Sequence, residues 1–372
     1  MTSPAYAVIN LDALRHNLQI VRKFAPNAKI MPVIKANAYG HGMFRVASAL
    51  QSADAFAVAR VDEGVRLRKA GITNIITVLE GFSCVNELEA ILAYQLDTVV
   101  HSFTQLSMFE ARPELNACSI WLKLDTGMNR LGFKAEEFIT AFQRLKHCSL
   151  IKGPINLMTH LANADITQDT TTLKQIALFN DTITTLFADQ TIESKVSCAC
   201  SIANSAGILA WPISLTDWVR PGIMLYGISP FPENTGEYWQ LKPVMGLHSR
   251  LIAVKPLLKG DKVGYSGTWT CTKPTQLGIV AIGYGDGYPR HAKAGTPVLV
   301  NGQRVPLIGR VSMDMITVDL ESQPMAMPGD SVTLWGNDLA IEEIAQCADT
   351  IPYTLVCGIT QRVRIIEHSS TI

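Results

Sequence analysis

This 372-residue chain has no excess charge of either sign. Lys and Arg total 32, Asp and Glu total 32, and the formal net charge at pH 7 is zero. No basic run stands out, so neither nucleic acid nor another polyanion is expected as a partner. Charged residues are scarce altogether, at 17%. No hydrophobic run approaches the ~20 residues that span a bilayer, so no membrane association is expected. The first ten residues lack a basic start followed by a long apolar stretch, so no secretory leader is expected. A disulfide framework is missing too. The eight cysteines are scattered, mostly in apolar segments, which points to a reduced, cytoplasmic setting. Cys198 and Cys200 form a C-x-C without a second Cys/His pair at ligand spacing, so no metal site is expected.

The chain is instead rich in apolar residues, at 48%. That suffices for a large core and leaves room for a sizeable subunit interface. The length suits two domains, or one barrel with an appendage. Eight continuous apolar runs, 29–34, 55–59, 74–79, 98–101, 120–124, 155–159, 196–199 and 218–226, read as strands covered on both faces. Helical stretches such as 61–70, 87–93, 135–145 and 173–186 lie between them. Eight strand–helix repeats match a (β/α)₈ barrel; an open doubly wound sheet is the alternative on periodicity alone. Beyond residue 226, Pro230, Pro232 and Gly236 mark a linker. The remainder reads as strands at 248–255, 277–282, 297–300, 304–308, 315–319, 331–335 and 363–367. One helix is expected at 340–348, and Asn301-Gly302 signals a hairpin. Residues 6–10 read as a strand that pairs with this later part. The expected domains are therefore a barrel over 10–230 and a mostly β domain over 231–372 joined by strand 1–9.

One stretch carries the strongest chemical signal: Pro32-Val33-Ile34-Lys35-Ala36-Asn37-Ala38-Tyr39-Gly40-His41-Gly42. A buried strand delivers a lysine onto a loop of small residues. An ammonium there needs a partner or a lowered pKa. An amine kept neutral attacks carbonyls, above all the aldehyde of pyridoxal 5'-phosphate (PLP). The plain alternative is a strand-end lysine that reaches solvent. In a barrel, chemistry gathers at the C-terminal strand ends. Those ends hold Lys35, the segment from Asp125 to Arg130, His160, Ser205 and, within the eighth strand, Arg220. Asn204-Ser205-Ala206-Gly207 opens a helix and Pro221-Gly222-Ile223 adds a second backbone approach, which suits a phosphate between strands seven and eight.

Six segments together resemble the alanine racemase family: the Lys35 motif, Leu122–Gly132 (LKLDTGMNRLG), Val219–Gly227 (VRPGIMLYG), Val263–Thr268 (VGYSGT), Gly283–Tyr288 (GYGDGY) and Arg310–Asp314 (RVSMD). They occur in order along nearly the whole chain. The resemblance implies a PLP-dependent homodimer built as a (β/α)₈ barrel plus a β domain, acting as an isomerase that interconverts L- and D-alanine for peptidoglycan metabolism. It implies that Lys35 holds PLP as an imine and that Tyr265 is a second catalytic base, placed in the partner's active site. Arg220 would face the pyridine nitrogen, Arg130 the phenolic oxygen, and His160 the ring. Tyr39, Ser205, Gly222, Ile223 and Tyr353 would hold the phosphate. Arg130 and the Met313 backbone would contact the substrate carboxylate. Lys123 matches a lysine that is carbamylated in many members, and Asp165, Tyr284, Arg290 and Arg310 match the substrate entrance. Ser201 stands where some relatives have histidine, so the support of Arg220 differs in detail. A PLP-dependent basic amino-acid decarboxylase shares this plan but not the Tyr265 and Arg310–Asp314 segments. A non-catalytic PLP carrier has a similar lysine barrel but typically no second domain.

Overall fold

The computed structural model describes residues 4–112, 117–188 and 198–369. The chain divides into two compact units, one of Leu18–Ala38 and Gly42–Leu225, the other of Met1–Asn17, Tyr39–His41 and Tyr226–Ile372. Strand β1 (Tyr6–Asn10) belongs to the second unit; strands β2 to β9 belong to the first.

The first unit is a parallel barrel. Its strands are β2 (Lys29–Ile30), β3 (Ala55–Val58), β4 (Ile75–Val78), β5 (Asp97–Val100), β6 (Ile120–Lys123), β7 (Asn156–Met158), β8 (Cys200–Ser201) and β9 (Trp218–Val219). Neighbours run β2-β9-β8-β7-β6-β5-β4-β3, every pair parallel. Val33, beyond β2, bridges Ala57 of β3 and closes the ring; Ala57 N donates to Pro32 O and Ile34 N to Ala57 O, both at 2.8 Å. All four residues of β3 and of β6 are buried. Burial on both faces is why these strands read as unbroken apolar runs. The helix Ala135–Lys146 shows how the outer layer forms. Phe138, Ala141, Phe142 and Leu145 fall on one buried stripe at helical spacing. Glu136 and Glu137 lie at its start and Arg144 and Lys146 at its end, each sign matching the helix dipole.

Two strand expectations shift. Of the expected 196–199, residues 198 and 199 precede the seventh strand, Cys200–Ser201, and residues 196 and 197 lie outside the described residues. Hydrophobicity is continuous there and does not mark register; pairing does, with Ser201 opposite both Met158 and Trp218. The eighth run yields a strand only at Trp218–Val219. Pro221 has no N–H to extend the ladder, and Ile223–Tyr226 winds into a 3₁₀ turn instead.

The second unit is mostly β. Its long strand β10 (Met245–Leu257) is bulged between Leu247 and His248 and between Leu251 and Ala253. It follows with β11 (Lys262–Val263), β12 (Trp269–Thr270), β13 (Thr275–Val280), β14 (Pro297–Val300), β15 (Gln303–Pro306), β16 (Ile316–Asp319), β17 (Ser331–Trp335) and β18 (Arg364–His368). The main path is β15-β14-β17-β10-β1-β18, with β13 pairing β10 and β16. β1 runs antiparallel to β10 and parallel to β18. The β14–β15 hairpin turns through Asn301 (φ 50°) and Gly302 (φ 79°), as its Asn-Gly pair requires. Besides the expected helix, Ile341–Cys347, a second one forms at Pro352–Cys357 and carries Tyr353.

Candidate active site

Lys35 follows the ring-closing residues 33 and 34 and opens a single left-handed turn over Lys35–Tyr39. Ala36, Asn37, Ala38 and Tyr39 have φ of 52°, 54°, 55° and 52°. Left-handed backbone costs a residue with a Cβ roughly 1–2 kcal/mol, so this turn needs outside support. In the second unit Gly40 has φ 79°, and a Cβ there would lie 2.1 Å from Val356 O. Only glycine fits that close approach.

The barrel end gathers positive charge around Lys35. Lys123, at the end of β6, is buried, and burial pushes its ammonium down to about 7, helped by the charges of Arg220, Arg130 and Lys35 and opposed by Asp125. Asp125 is itself committed elsewhere. Its Oδ2 accepts from Lys134 Nζ at 2.6 Å, and Oδ1 accepts from Gly127 N (3.0 Å) and Asn129 N (2.9 Å). Burial pushes the Asp125 carboxyl up, but those donors outweigh it and hold it below the usual carboxylate range. The same bonds shape the loop that presents Arg130, which is exposed. A bridge between Leu124 and Phe133 closes the loop's base.

Arg220 is 4% exposed and forms no ion pair among the described residues. Its guanidinium donates to Ser201 Oγ, to Thr159 O at 2.6 Å and to Ile202 O at 3.2 Å. Ser201 Oγ in turn donates to Trp218 O at 3.0 Å, so a hydroxyl supports the arginine here. Burial lowers Arg220 to about 10, which leaves it charged at neutral pH. His160 Nδ1 lies 3.4 Å from Arg220 Nη2. Burial, then the charges of Arg220, Lys123, Arg130 and Lys35, hold its imidazolium well below the usual range, so the ring is neutral. With Arg220 on the Nδ1 side, Nε2 carries the proton.

Ser205 Oγ accepts from Gly222 N at 2.9 Å and from Met224 N at 3.4 Å, which joins the residues after β8 and β9. Ile223 follows directly, and Asn204 Oδ1 caps Gly207 N at 2.9 Å. The barrel unit therefore brings together Lys35, Lys123, Arg130, His160 and Arg220 by their charges, and Ser205, Gly222 and Ile223 by hydrogen bonding and sequence. Asp165 also belongs to this unit and is part-buried.

The remaining expected residues belong to the second unit. Tyr39 packs on Tyr226 (4.9 Å between ring centroids) and on Tyr353 (5.9 Å). Burial, then the neighbouring Tyr353 and Cys357, push its phenol well up, so Tyr39 is a neutral donor. Tyr265 is 70% exposed on a strained turn, between Gly264 (φ 73°) and Ser266 (φ 61°). Arg310 Nη1 reaches Ser266 Oγ at 3.5 Å. Tyr284 N donates to Ser312 O (3.0 Å) and Gly285 N to Met313 O (2.8 Å), which joins the Tyr284 turn to the exposed Met313. Arg290 is exposed. Sequence reading missed two contributors. Lys134 carries no local signal. Glu63 stands three residues after the helix N-cap Arg60, the position whose side chain folds back on a helix start.

The donor set fits PLP. Lys35, Lys123, Arg130 and Arg220 all act electrostatically on the neutral His160 imidazole, and the Asp125 carboxylate that opposes them at Lys123 is itself taken up by Lys134. A pyridine that carries a phenolic oxygen and a separate phosphate ester, together with a carboxylate substrate, would bring negative charge to these donors.

Comparison with known proteins identifies the family. The sequence profile described as "Alanine racemase, N-terminal domain" matches residues 9–230, and "Alanine racemase, C-terminal domain" matches 244–367. The chain is 48% identical to an alanine racemase of Coxiella burnetii over 368 residues, covering 98% of each, and 47% identical to one of Aeromonas hydrophila, covering 96% of this chain and 98% of the relative. Among solved structures, biosynthetic alanine racemase from Pseudomonas aeruginosa superposes with a TM-score of 0.92 at 38% identity, covering 99% of this chain and all of that one. Alanine racemase from Acinetobacter baumannii gives 0.91 at 34% identity, with 99% and 100% covered. With both halves matched in order and relatives of equal length throughout, the chain belongs to the alanine racemase family.

Proposed function

We propose that this chain interconverts L- and D-alanine as a PLP-dependent homodimer with shared active sites. The observation that carries the proposal is the gathering of Lys35, Lys123, Arg130 and Arg220 around His160 at one end of the barrel. Lys35 would hold the coenzyme covalently through Nζ. Ser205, Gly222 and Ile223 would bind its phosphate, with Tyr39 and Tyr353 assigned to the same group by family resemblance. Gly222 N–H already donates to Ser205 Oγ, so the serine hydroxyl proton is the donor free for an anion. His160, flat and neutral, would lie against the ring. Arg220 offers only donors, so it can hold a ring nitrogen only as an acceptor. When bound, PLP supplies the electron sink that makes an α-proton removable.

The chain's own groups then decide the stereochemistry. Racemisation takes the α-proton from one face and returns one on the other. Lys35 Nζ would serve the D-face and Tyr265 Oη of the partner subunit the L-face; each accepts in one direction and donates in the other. An ordinary phenol has a pKa near 10, so forming phenolate at pH 7 costs about 4 kcal/mol, which the assembled site must offset. Arg130 and the Met313 backbone would orient the substrate carboxylate, and Asp165, Tyr284, Arg290 and Arg310 would line the entrance. Lys123 is suited to carbamylation: at about 7 much of its amine is free to add CO₂, giving a carbamate anion and one proton. That anion would orient Arg130. The product suits a supply of D-alanine to peptidoglycan, made in the cytoplasm.

The test joins two measurements. Borohydride reduction of the coenzyme-bound protein, followed by peptide mapping, is expected to place the adduct on Lys35. Incubation with L-alanine is expected to erase optical rotation without releasing CO₂. An adduct elsewhere, or CO₂ in step with substrate loss, removes the proposal. Tyr265→Phe is expected to keep the Lys35 adduct while losing turnover of L-alanine by at least about a hundredfold.

A further inference from the structure

Lys35 leads into four successive left-handed residues, none of them glycine. Such backbone persists only where its surroundings over-determine it. Part of the support is local. Asn37 O accepts from Gly42 N at 2.8 Å, Asn37 Oδ1 from Met43 N at 3.0 Å, and Ala38 N donates to Ile34 O at 2.9 Å. The first of the four, Ala36, is held from elsewhere. Its N–H donates to Glu63 Oε1 at 2.7 Å. The other oxygen of the same carboxylate, Oε2, accepts from Ala59 N at 2.9 Å and from Arg60 N at 3.2 Å. One side chain thus receives three backbone donors from two places: the residue after Lys35, and the segment linking β3 to the helix Val61–Lys69.

The chemistry calls for a carboxylate. Both of its oxygens accept, and both are used. An amide has one accepting oxygen, and its NH₂ group would face an N–H. Turned so that the oxygen keeps the helix start, an amide at this position loses Ala36. A carboxylate one methylene shorter keeps its charge but gives up reach.

We propose that Glu63 is a positioning residue for Lys35: its carboxylate pins the peptide that follows Lys35 to the β3 end and so sets the line along which Nζ meets the reacting carbon. A helix cap alone would need only Ala59 and Arg60. The bond to Ala36 makes the same group part of the lysine's mounting. The proposal rests on Lys35 being the reactive amine.

The experiment compares Glu63→Gln and Glu63→Asp with the unaltered protein, all loaded with coenzyme. Four readouts are needed: amide hydrogen exchange at Ala36, kcat and KM in both directions, the fraction of coenzyme trapped on Lys35 by borohydride, and Tm. Glu63→Gln is expected to speed exchange at Ala36 and to lower kcat about tenfold to a hundredfold, the scale of a misplaced reacting group. KM, trapped coenzyme and Tm should stay close to the unaltered values. Glu63→Asp, which keeps the charge, is expected to share the kcat loss and carries the test if the glutamine variant does not fold. Faster exchange at Ala36 with kcat within twofold overturns the proposal. So does a kcat loss that only tracks lost coenzyme or lost folded protein. Failure of the unaltered protein to trap coenzyme on Lys35 strikes the proposed function instead, and leaves the exchange result at Ala36 standing as a statement about the turn.

Discussion

At the residue scale, Lys123 shows what a structure adds to a motif. Its place in LKLDTGMNRLG marks it by resemblance only; its burial between cations gives the physical consequence. The unfolded chain releases the Lys123 proton near 10.5, the folded chain near 7. Between those values the unfolded state binds more protons, so stability rises with pH across that window, and the full cost of burying the ammonium is present below it. At 1.36 kcal/mol per pKa unit the effect is worth a few kcal/mol. Lys123→Met is therefore expected to stabilise the protein in CO₂-free buffer at pH 7 and to lose that advantage by pH 10, read as a difference in Tm. A Tm difference independent of pH contradicts this. Arg220 shows the limit of sequence reading. Its presence in VRPGIMLYG was visible and the resemblance pointed to Ser201 beside it, but the further support from Thr159 O and Ile202 O depends on segments that only the barrel brings together.

At the element scale, the strands were legible because both faces of a parallel barrel are covered, which writes burial as a continuous run. The ends were less legible. At Cys200–Ser201 the apolar texture continues past the paired residues, and at Pro221 a missing N–H stops a run whose side chains would have continued it. The helix Pro352–Cys357 escaped because six residues are too few for a period to declare itself, although Pro352 at its first turn is a start signal. The loop after β6 gives a sharper test. Gly132 has φ 126°, and a Cβ there would lie 2.7 Å from Asp125 N and 2.9 Å from Leu124 C. Gly132→Ala must move backbone at the base of the loop that carries Arg130. It is expected to cost about 1–3 kcal/mol of stability and to raise KM for alanine more than it lowers coenzyme binding. Equal KM with unchanged Tm would mean that the loop absorbs the methyl group.

At the scale of the whole molecule, Tyr265 stands largely in solvent, an odd place for the second base proposed above. The proposed dimer accounts for it, and mixing separates the arrangements. The Lys35→Ala and Tyr265→Phe proteins, each expected to be inactive alone, are unfolded together and refolded. If each site joins Lys35 of one subunit to Tyr265 of the other, half of the dimers are mixed and each holds one intact site, so about a quarter of normal activity returns. If both groups come from one subunit, none returns. The mostly β unit has a further consequence for how the protein is made. Its strand β1 lies between β10 and β18, flanked by residues 245–248 on one side and 364–368 on the other. At a ribosome adding 5–20 residues per second, the second of those neighbours emerges roughly 20 to 70 s after the first strand. For that interval a row of backbone donors and acceptors waits unclaimed, and a chaperone that shelters the newborn end would be expected to raise the yield of active enzyme.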